Sequence, residues 1–250
     1  AKCGSSGQGE GGRHMSDQAS NRARRAARAK TPLTEEERKA RRRAKRNLRQ
    51  AEAMGFLKGV TAMLKPGDLA MDCGANVGVV TRLLADTGAE VISYEPDPYA
   101  FEQLSAAVKD RANVRLVNAA VGASSGTVRL MRAANFDDNM KGASVKSTIV
   151  DGGRTIDADN YVDVALLNFL EIIRAEIDKR GEIAFVKMDI EGAELDLLEA
   201  MDAADLIKGI RCLVVETHER KFADLRPRFR ALRETFAAKY PARQVNLDWI

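Results

Sequence analysis

Met71-Asp72-Cys73-Gly74-Ala75-Asn76-Val77-Gly78 is the stretch on which the fold turns. Its first half ends an apolar run, Leu69 to Gly74, that reads as a buried strand. From Asn76 the pattern changes to that of a helix, through Leu83, Leu84 and on to Gly88. Glycines at a strand-to-helix turn let the backbone bend sharply and approach a ligand. Asn76 fills the middle position, where left-handed geometry is affordable for asparagine.

Outward from this turn the chain alternates. Strands are expected at 90–96, 114–122, 184–190 and 210–218, with helices at 98–110 and 193–209. Residues 125–133 read as an added strand, 134–160 as a polar loop, and 158–180 as mostly helical, with a short strand before the helix as the alternative. A long helix is expected at 222–239 and a last strand at 244–250. Alternation of this kind predicts an α/β fold: a doubly wound, mostly parallel sheet covered on both faces.

The turn also selects a ligand. A nucleotide dehydrogenase requires G-x-G-x-x-G with a pyrophosphate at the helix N-terminus. Here the spacing is Gly74, Asn76, Gly78, and Asp72 ends the strand. That carboxylate disfavours a pyrophosphate but suits an ammonium or a sulfonium, and S-adenosylmethionine carries both. Glu95, at the end of the second strand, is placed to accept hydrogen bonds from both ribose hydroxyls. Dehydrogenases use the same device, so Glu95 alone does not discriminate. Asn118, after the third strand, is a candidate partner for adenine. The expected cofactor set is therefore Asp72, Gly74, Asn76, Gly78, Glu95 and Asn118.

Four segments read together, DCGANVG (72–78), YEPDP (94–98), FVKMDIEGAELDLLEA (185–200) and VVETHE (214–219), resemble the FkbM family of methyltransferases. Lys187 to Glu194 is the most specific part. The resemblance implies a class I, Rossmann-like methyltransferase fold that uses S-adenosyl-L-methionine and releases S-adenosyl-L-homocysteine. It also implies O-methylation of a hydroxyl on a sugar or small-molecule metabolite. Two departures stand out. Ala165-Leu166-Leu167-Asn168 replaces a Thr-Leu-Asp-Asp-like run, and only one clear strand follows the last helix. The second leaves the sheet edge as a candidate homo-oligomer interface.

In an open α/β sheet, ligands lie beyond the carboxyl ends of the strands. The acceptor-side candidates are therefore Asp189, Glu191 and Glu194 after the fourth strand, and Glu216, Thr217 and His218 after the fifth. Deprotonating a hydroxyl calls for a base, typically contributing ~10²–10⁴-fold. Asp189 is the favoured orienting or basic residue, with His218 as the rival base and Glu191 beside them. Acids in a first helical turn also simply satisfy the helix dipole, which covers Glu191 and Glu194. Oxygen ligation of Mg²⁺ by Asp189 with Glu191, or by Asp137-Asp138-Asn139, is open, but no spacing compels it.

Composition sets the remaining bounds. Residues 1–14 are rich in Gly and Ser and read as an expression scar ahead of Met15. No run approaches a membrane span, and no leader-like apolar segment opens the chain. Cys73 and Cys212 lie in no metal-binding spacing, which suits thiols in a reducing, cytoplasmic setting.

The net charge of +4 is unevenly spread. Residues 16–50 carry thirteen Lys or Arg against four acids, while residues 51–250 are net acidic. The chain thus divides into a basic arm and helix (15–50) and a catalytic body (51–250). Thr34-Glu35-Glu36-Glu37 is a capping box that starts the arm's helix. A second helix is read around Phe56, Val60 and Leu64. The arm has three readings: a solvated helix, a nucleic-acid contact, or a contact with an anionic membrane or polysaccharide. Three functions follow: a sugar or small-molecule O-methyltransferase, an RNA-modifying methyltransferase that holds its substrate with the arm, and a cofactor-binding regulator without activity. The acidic residues after strands four and five weigh against the third, and the acidic body against the second.

Overall fold

The computed structural model describes residues 33–134, 136, 147–150 and 156–249. Residues 1–14, read above as a scar, the arm before Leu33 and the Asp137-Asp138-Asn139 loop lie outside them. The chain divides into two compact units, residues 1–51 and 52–250.

The described part of the first unit is helical and exposed. Its start is the expected capping box: the Thr34 hydroxyl accepts from Glu37 N–H at 3.1 Å, and the Glu37 carboxylate accepts from Thr34 N–H at 2.8 Å. The two expected helices are a single one, α1 (Glu35–Met63). Gly55, the only breaker between the two patterns, weakens a helix but does not end it. Beyond residue 52 this helix buries Ala53, Leu57 and Val60.

The second unit is built on a six-stranded sheet: β1 (Leu69–Cys73), β2 (Glu90–Tyr94), β3 (Val114–Val117), β7 (Phe185–Met188), β8 (Leu213–Val215) and β9 (Val245–Asn246). Their spatial order is β3-β2-β1-β7-β8-β9, and every pairing is parallel. Side chains alternate between two cores, as a period of two demands. Leu69, Met71 and Cys73 join Phe169, Leu198 and Phe229 on one face. Ala70 joins Leu57, Leu84 and Trp249 on the other. Burial on both faces explains why these strands read as continuous apolar runs.

Helices α2 (Val79–Ala85), α3 (Pro98–Val108), α4 (Phe169–Arg180), α5 (Glu194–Ala203) and α6 (Arg226–Lys239) complete the unit. Among the described residues, no helix is long and apolar enough to cross a membrane. The last strand, β9, pairs parallel to β8, so the sheet ends in one strand, as the sequence suggested.

A second sheet departs from expectation. The run 114–122 splits at Asn118-Ala119 into β3 and β4 (Ala120–Gly122). Strand β4 leaves the main sheet and pairs with β6 (Ile156–Asn168), which also pairs with β5 (Gly126–Ala133), in the order β4-β6-β5. The segment expected to be mostly helical is thus half strand. Tyr161, Val162 and Val164 favour a pleated surface, and Asn168 then caps α4 by accepting from Leu170 N–H at 3.1 Å. This places Ala165 to Asn168 on β6, where Leu166 and Leu167 pair with Ala120 and Val121.

Candidate active site

The order of the main sheet reverses at β1, which has β2 on one side and β7 on the other. Ligands of open α/β sheets sit at that switch point. An open cleft of about 660 Å³, counting the part that opens to solvent, lies there. Gly74, Asn76, Glu95 and Pro96 line one part, Ala119 to Val121, Leu130 and Ile149 an apolar part, and Asp189 to Glu191 a third.

The turn after β1 is held in an unusual geometry. Gly74, Asn76 and Gly78 all have positive φ, at 76°, 47° and 84°. A Cβ on Gly74 would lie 1.8 Å from the Asp189 carbonyl oxygen, so only glycine lets β1 and β7 close at this height. Glu95 faces the cleft with both oxygens fixed. Oε2 accepts from Asn76 N–H at 2.7 Å and Oε1 from Asp97 N–H at 2.9 Å. Burial carries its pKa up to about 7, against the pull of those two donors.

Three of the six expected cofactor residues, Asp72, Gly78 and Asn118, do not line the cleft. Asp72 is fully buried and does not line the cleft. Its Oδ2 accepts from the Thr81 hydroxyl at 2.7 Å, and its Oδ1 lies 3.4 Å from Lys187 Nζ. It braces the turn through Oδ2, while Oδ1 makes no hydrogen bond among the described residues. Asn118 also stays outside the lining. Its amide donates to the carbonyls of Glu95 at 2.8 Å and Pro96 at 3.2 Å, and so holds the turn that presents Glu95. The apolar residues Ala119, Ala120, Val121, Leu130 and Ile149 stand where an aromatic base would rest. Leu130 and Ile149 come from the second sheet and its loop, which no local motif announced.

On the other side of Gly74 the acids after β7 and β8 gather around one imidazole. Glu194 is fully buried; it accepts from Ile190 N–H, Gly192 N–H and His218 Nδ1, each at 2.9 Å. His218 Nε2 faces Glu191 at 3.5 Å, Glu216 at 3.7 Å and Asp189 at 3.8 Å. Lys221 pairs with Glu191. The connecting turn is strained: Glu191 has φ 57°, and Gly192, at φ 114°, leaves room for Phe222, which a Cβ would meet at 2.3 Å. Thr148, buried, donates its hydroxyl to the Glu191 carbonyl at 2.5 Å.

The charges answer one another. Burial, then the neighbouring Asp189, pushes Glu216 up to about 7, and burial holds Glu191 above the usual carboxylate range. Burial works against a charged His218, but Glu194 and Glu191 outweigh it and carry the imidazole up to about 9. These surroundings favour the protonated imidazole at neutral pH. Asp189, Glu194 and His218 bring ligand-type atoms within 4.8 Å of one another. Glu194 already accepts from three N–H groups, and Lys187 and Lys221 pair with Asp189 and Glu191.

Sequence reasoning assigned no role to Lys187. Its Nζ donates to the Gly74 carbonyl at 2.7 Å and lies 3.3 Å from Asp189 and 3.4 Å from Asp72. It ties the turn after β1 to the acids after β7. The available signal was a lysine within the buried strand Phe185-Val186-Lys187-Met188, since an unpaired lysine is almost never buried.

Comparison with known proteins settles the family. The Methyltransferase FkbM domain matches residues 72–240, most of the chain. The chain belongs to the FkbM methyltransferase family. It is similar to the 31-O-demethyl-FK506 methyltransferase FkbM of Streptomyces tacrolimicus, at 27% identity over 62% of this chain and 67% of that protein. Methyltransferase sdnD of Sordaria araneosa is 27% identical over 69% of this chain and 74% of its own length. Hexuronic acid methyltransferase AglP of Haloferax volcanii is 25% identical over 60% of this chain and 56% of its own. Among solved structures, the precorrin-6y C5,15-methyltransferase of Geobacter metallireducens covers 74% of this chain and 67% of its own, at 12% identity and a TM-score of 0.38. At that score the fold assignment rests on the strand order and the family match.

Proposed function

We propose that this FkbM-family methyltransferase uses S-adenosylmethionine to methylate a hydroxyl of a sugar or small-molecule metabolite. The observation that carries this reading is one cleft with three chemistries. Glu95, fixed by two backbone donors, suits a ribose diol. The apolar part from Ala119 to Ile149 suits an aromatic base. The acids at Asp189 and Glu191 suit a cationic sulfonium and a hydroxyl acceptor. The cofactor would supply an electrophilic methyl group. Gly74 and Asn76 would admit it by close backbone approach, and Asp189 would orient the acceptor for an in-line approach, where positioning carries much of the rate.

Two relatives, a 31-O-demethyl-FK506 methyltransferase and a hexuronic acid methyltransferase, support an oxygen acceptor. The rival reading, RNA modification, would draw on the exposed Arg41, Arg42, Arg43, Lys45 and Arg46 of α1. Incubation with methyl-labelled cofactor and a panel of glycosides, hydroxylated metabolites and RNA, followed by mass mapping of the product, tests both. Label on a hydroxyl oxygen of a small molecule is expected. Label on RNA alone, or on nitrogen alone, contradicts the proposal.

A further inference from the structure

The imidazole of His218 sits between two kinds of carboxylate. On one side is Glu194, fully buried and accepting three N–H groups. An ionised carboxylate is acceptor-only, so the 2.9 Å contact requires a proton on Nδ1. On the other side Nε2 faces oxygens of Glu191, Glu216 and Asp189, all between 3.5 and 3.8 Å. A bare lone pair at Nε2 would be repelled by three carboxylates, whereas an N–H is attracted to each. The surroundings therefore favour a proton on both nitrogens.

The three facing acids are not equivalent. Glu191 has Lys221, and Asp189 has Lys187 at 3.3 Å. Glu216 has no lysine partner among the described residues and shares only the imidazole. Arg233, on α6, is spent on Glu219, Asp248 and Thr217. Glu216 is also partly open, with 24% of its side chain exposed.

We infer that His218 is a positioning residue, a fixed cation held by Glu194, and that it leaves Glu216 as the carboxylate of this ring free to exchange a proton. The consequence for methyl transfer rests on the hydroxyl-acceptor reading above; the protonation states do not. A fixed cation holds Asp189, Glu191 and Glu216, from the ends of two neighbouring strands, around one nitrogen, where mutual repulsion would otherwise spread them. It also lowers the pH at which Glu216 gives up its proton. The groups facing the imidazole are Glu194 from α5, Asp189 and Glu191 from the turn after β7, and Glu216 from the end of β8, with Lys221 and Lys187 behind two of them.

The test needs no acceptor. The chain has two histidines, so full-length protein carrying His14→Ala leaves His218 as the only imidazole signal. Ring ¹H–¹⁵N spectra and side-chain carboxyl ¹³C spectra are recorded from pH 5.5 to 9.5. His218 is expected to keep both ring protons through pH 8, with a midpoint of about 9. Glu216→Gln should remove one carboxyl titration near pH 7 and leave that of Glu95 in place. In His218→Gln the Glu216 titration should move to higher pH. A purely structural histidine would alter stability without moving that midpoint. The inference is overturned by a His218 midpoint at or below 6.5, by a Glu216→Gln spectrum that loses no near-neutral titration, or by a Glu216 midpoint unmoved in folded His218→Gln. Calorimetry with S-adenosylmethionine on the same samples separates the two claims, because failed cofactor binding would contradict the proposed function and leave the titrations standing.

Discussion

Two groups of carboxylates flank Gly74, and they are held by different means. On the β2 side Glu95 is fixed by backbone N–H groups from Asn76 and Asp97, contributed by residues near it in the two motifs. On the β8 side Asp189, Glu191, Glu194 and Glu216 are held together largely by side-chain cations: His218, Lys221 and Lys187. Backbone donors are fixed once the turn is folded and carry no titratable proton. Side-chain cations can be lost by substitution or by pH. The first region is thus a rigid cradle around one titratable acid, and the second is an assembly of several side-chain charges that set one another's proton balance.

The two regions meet at Lys187, so its loss should have the largest effect. Lys187→Met keeps the length of the side chain and removes the charge, leaving Asp72 buried beside no cation. Removing one partner of a buried pair costs about 3–5 kcal/mol. Denaturant unfolding should show a loss of that size, with cofactor affinity falling as the Gly74 carbonyl loses its donor. A variant as stable as the parent would mean that Asp72 and Asp189 are held without the lysine.

A change in the cradle should weaken binding and, because both Glu95 oxygens accept backbone N–H groups, also loosen the turn. Glu95→Gln replaces charge-assisted bonds with neutral ones, which are worth roughly half as much. A loss of about 1–3 kcal/mol corresponds to roughly 5- to 150-fold in Kd for S-adenosylmethionine. An unchanged Kd would show that the ribose is held elsewhere.

Proton balance gives a third contrast. Glu95 and Glu216 titrate near 7 when folded and near 4.5 when unfolded. The folded chain therefore keeps protons that the unfolded chain releases, and stability falls as pH rises from 4.5 to 7. His218 moves from 6.5 unfolded to about 9 folded. Its contribution is fully present below 6.5 and is lost as pH rises through 9. Melting temperature should therefore decline steadily from pH 5 to pH 9. His218→Gln should remove the imidazole's share of the decline between pH 6.5 and 9 and shift the Glu216 share to higher pH. A parent curve that rises between pH 7 and 9 would contradict the charged imidazole.

The smallest effect is expected from the arm. Residues 16–33 carry almost no large apolar side chain and lack the surface needed to join a core. Their deletion should leave cofactor Kd within about twofold, under ~0.5 kcal/mol, and the melting temperature nearly unchanged. A large drop in either would tie the arm to the catalytic unit.

The same contrast explains what could be read in the sequence. The cradle is written in short motifs. Gly74, Asn76, Gly78 and Glu95 follow strands that announce themselves as apolar runs, and their backbone geometry is a local property. The buried ends were harder. Asp72 reads as a ligand in one dimension, whereas in the fold it lies buried beneath the turn, bonded to Thr81 and 3.4 Å from Lys187. Asn118 looks like a base-reading amide, yet it braces the turn of Glu95. The acid ring was visible as a set of candidates, but not its order. Whether His218 is a base or a fixed cation depends on Glu194, 24 residues away and one helix across. The second sheet was missed because β6 begins inside a polar stretch and its apolar half fits a buried helix as well as a strand. Leu130 and Ile149 reached the cleft unannounced for the same reason.

The central claim is that the cleft beside Gly74 takes S-adenosylmethionine, with Glu95 on its ribose. Isothermal titration of the full-length protein with S-adenosylmethionine, S-adenosylhomocysteine and NAD tests it most directly. Saturable binding of the two adenosyl ligands is expected, weakened in Glu95→Gln, with no heat from NAD. Tight NAD binding and no response to either adenosyl ligand would contradict it.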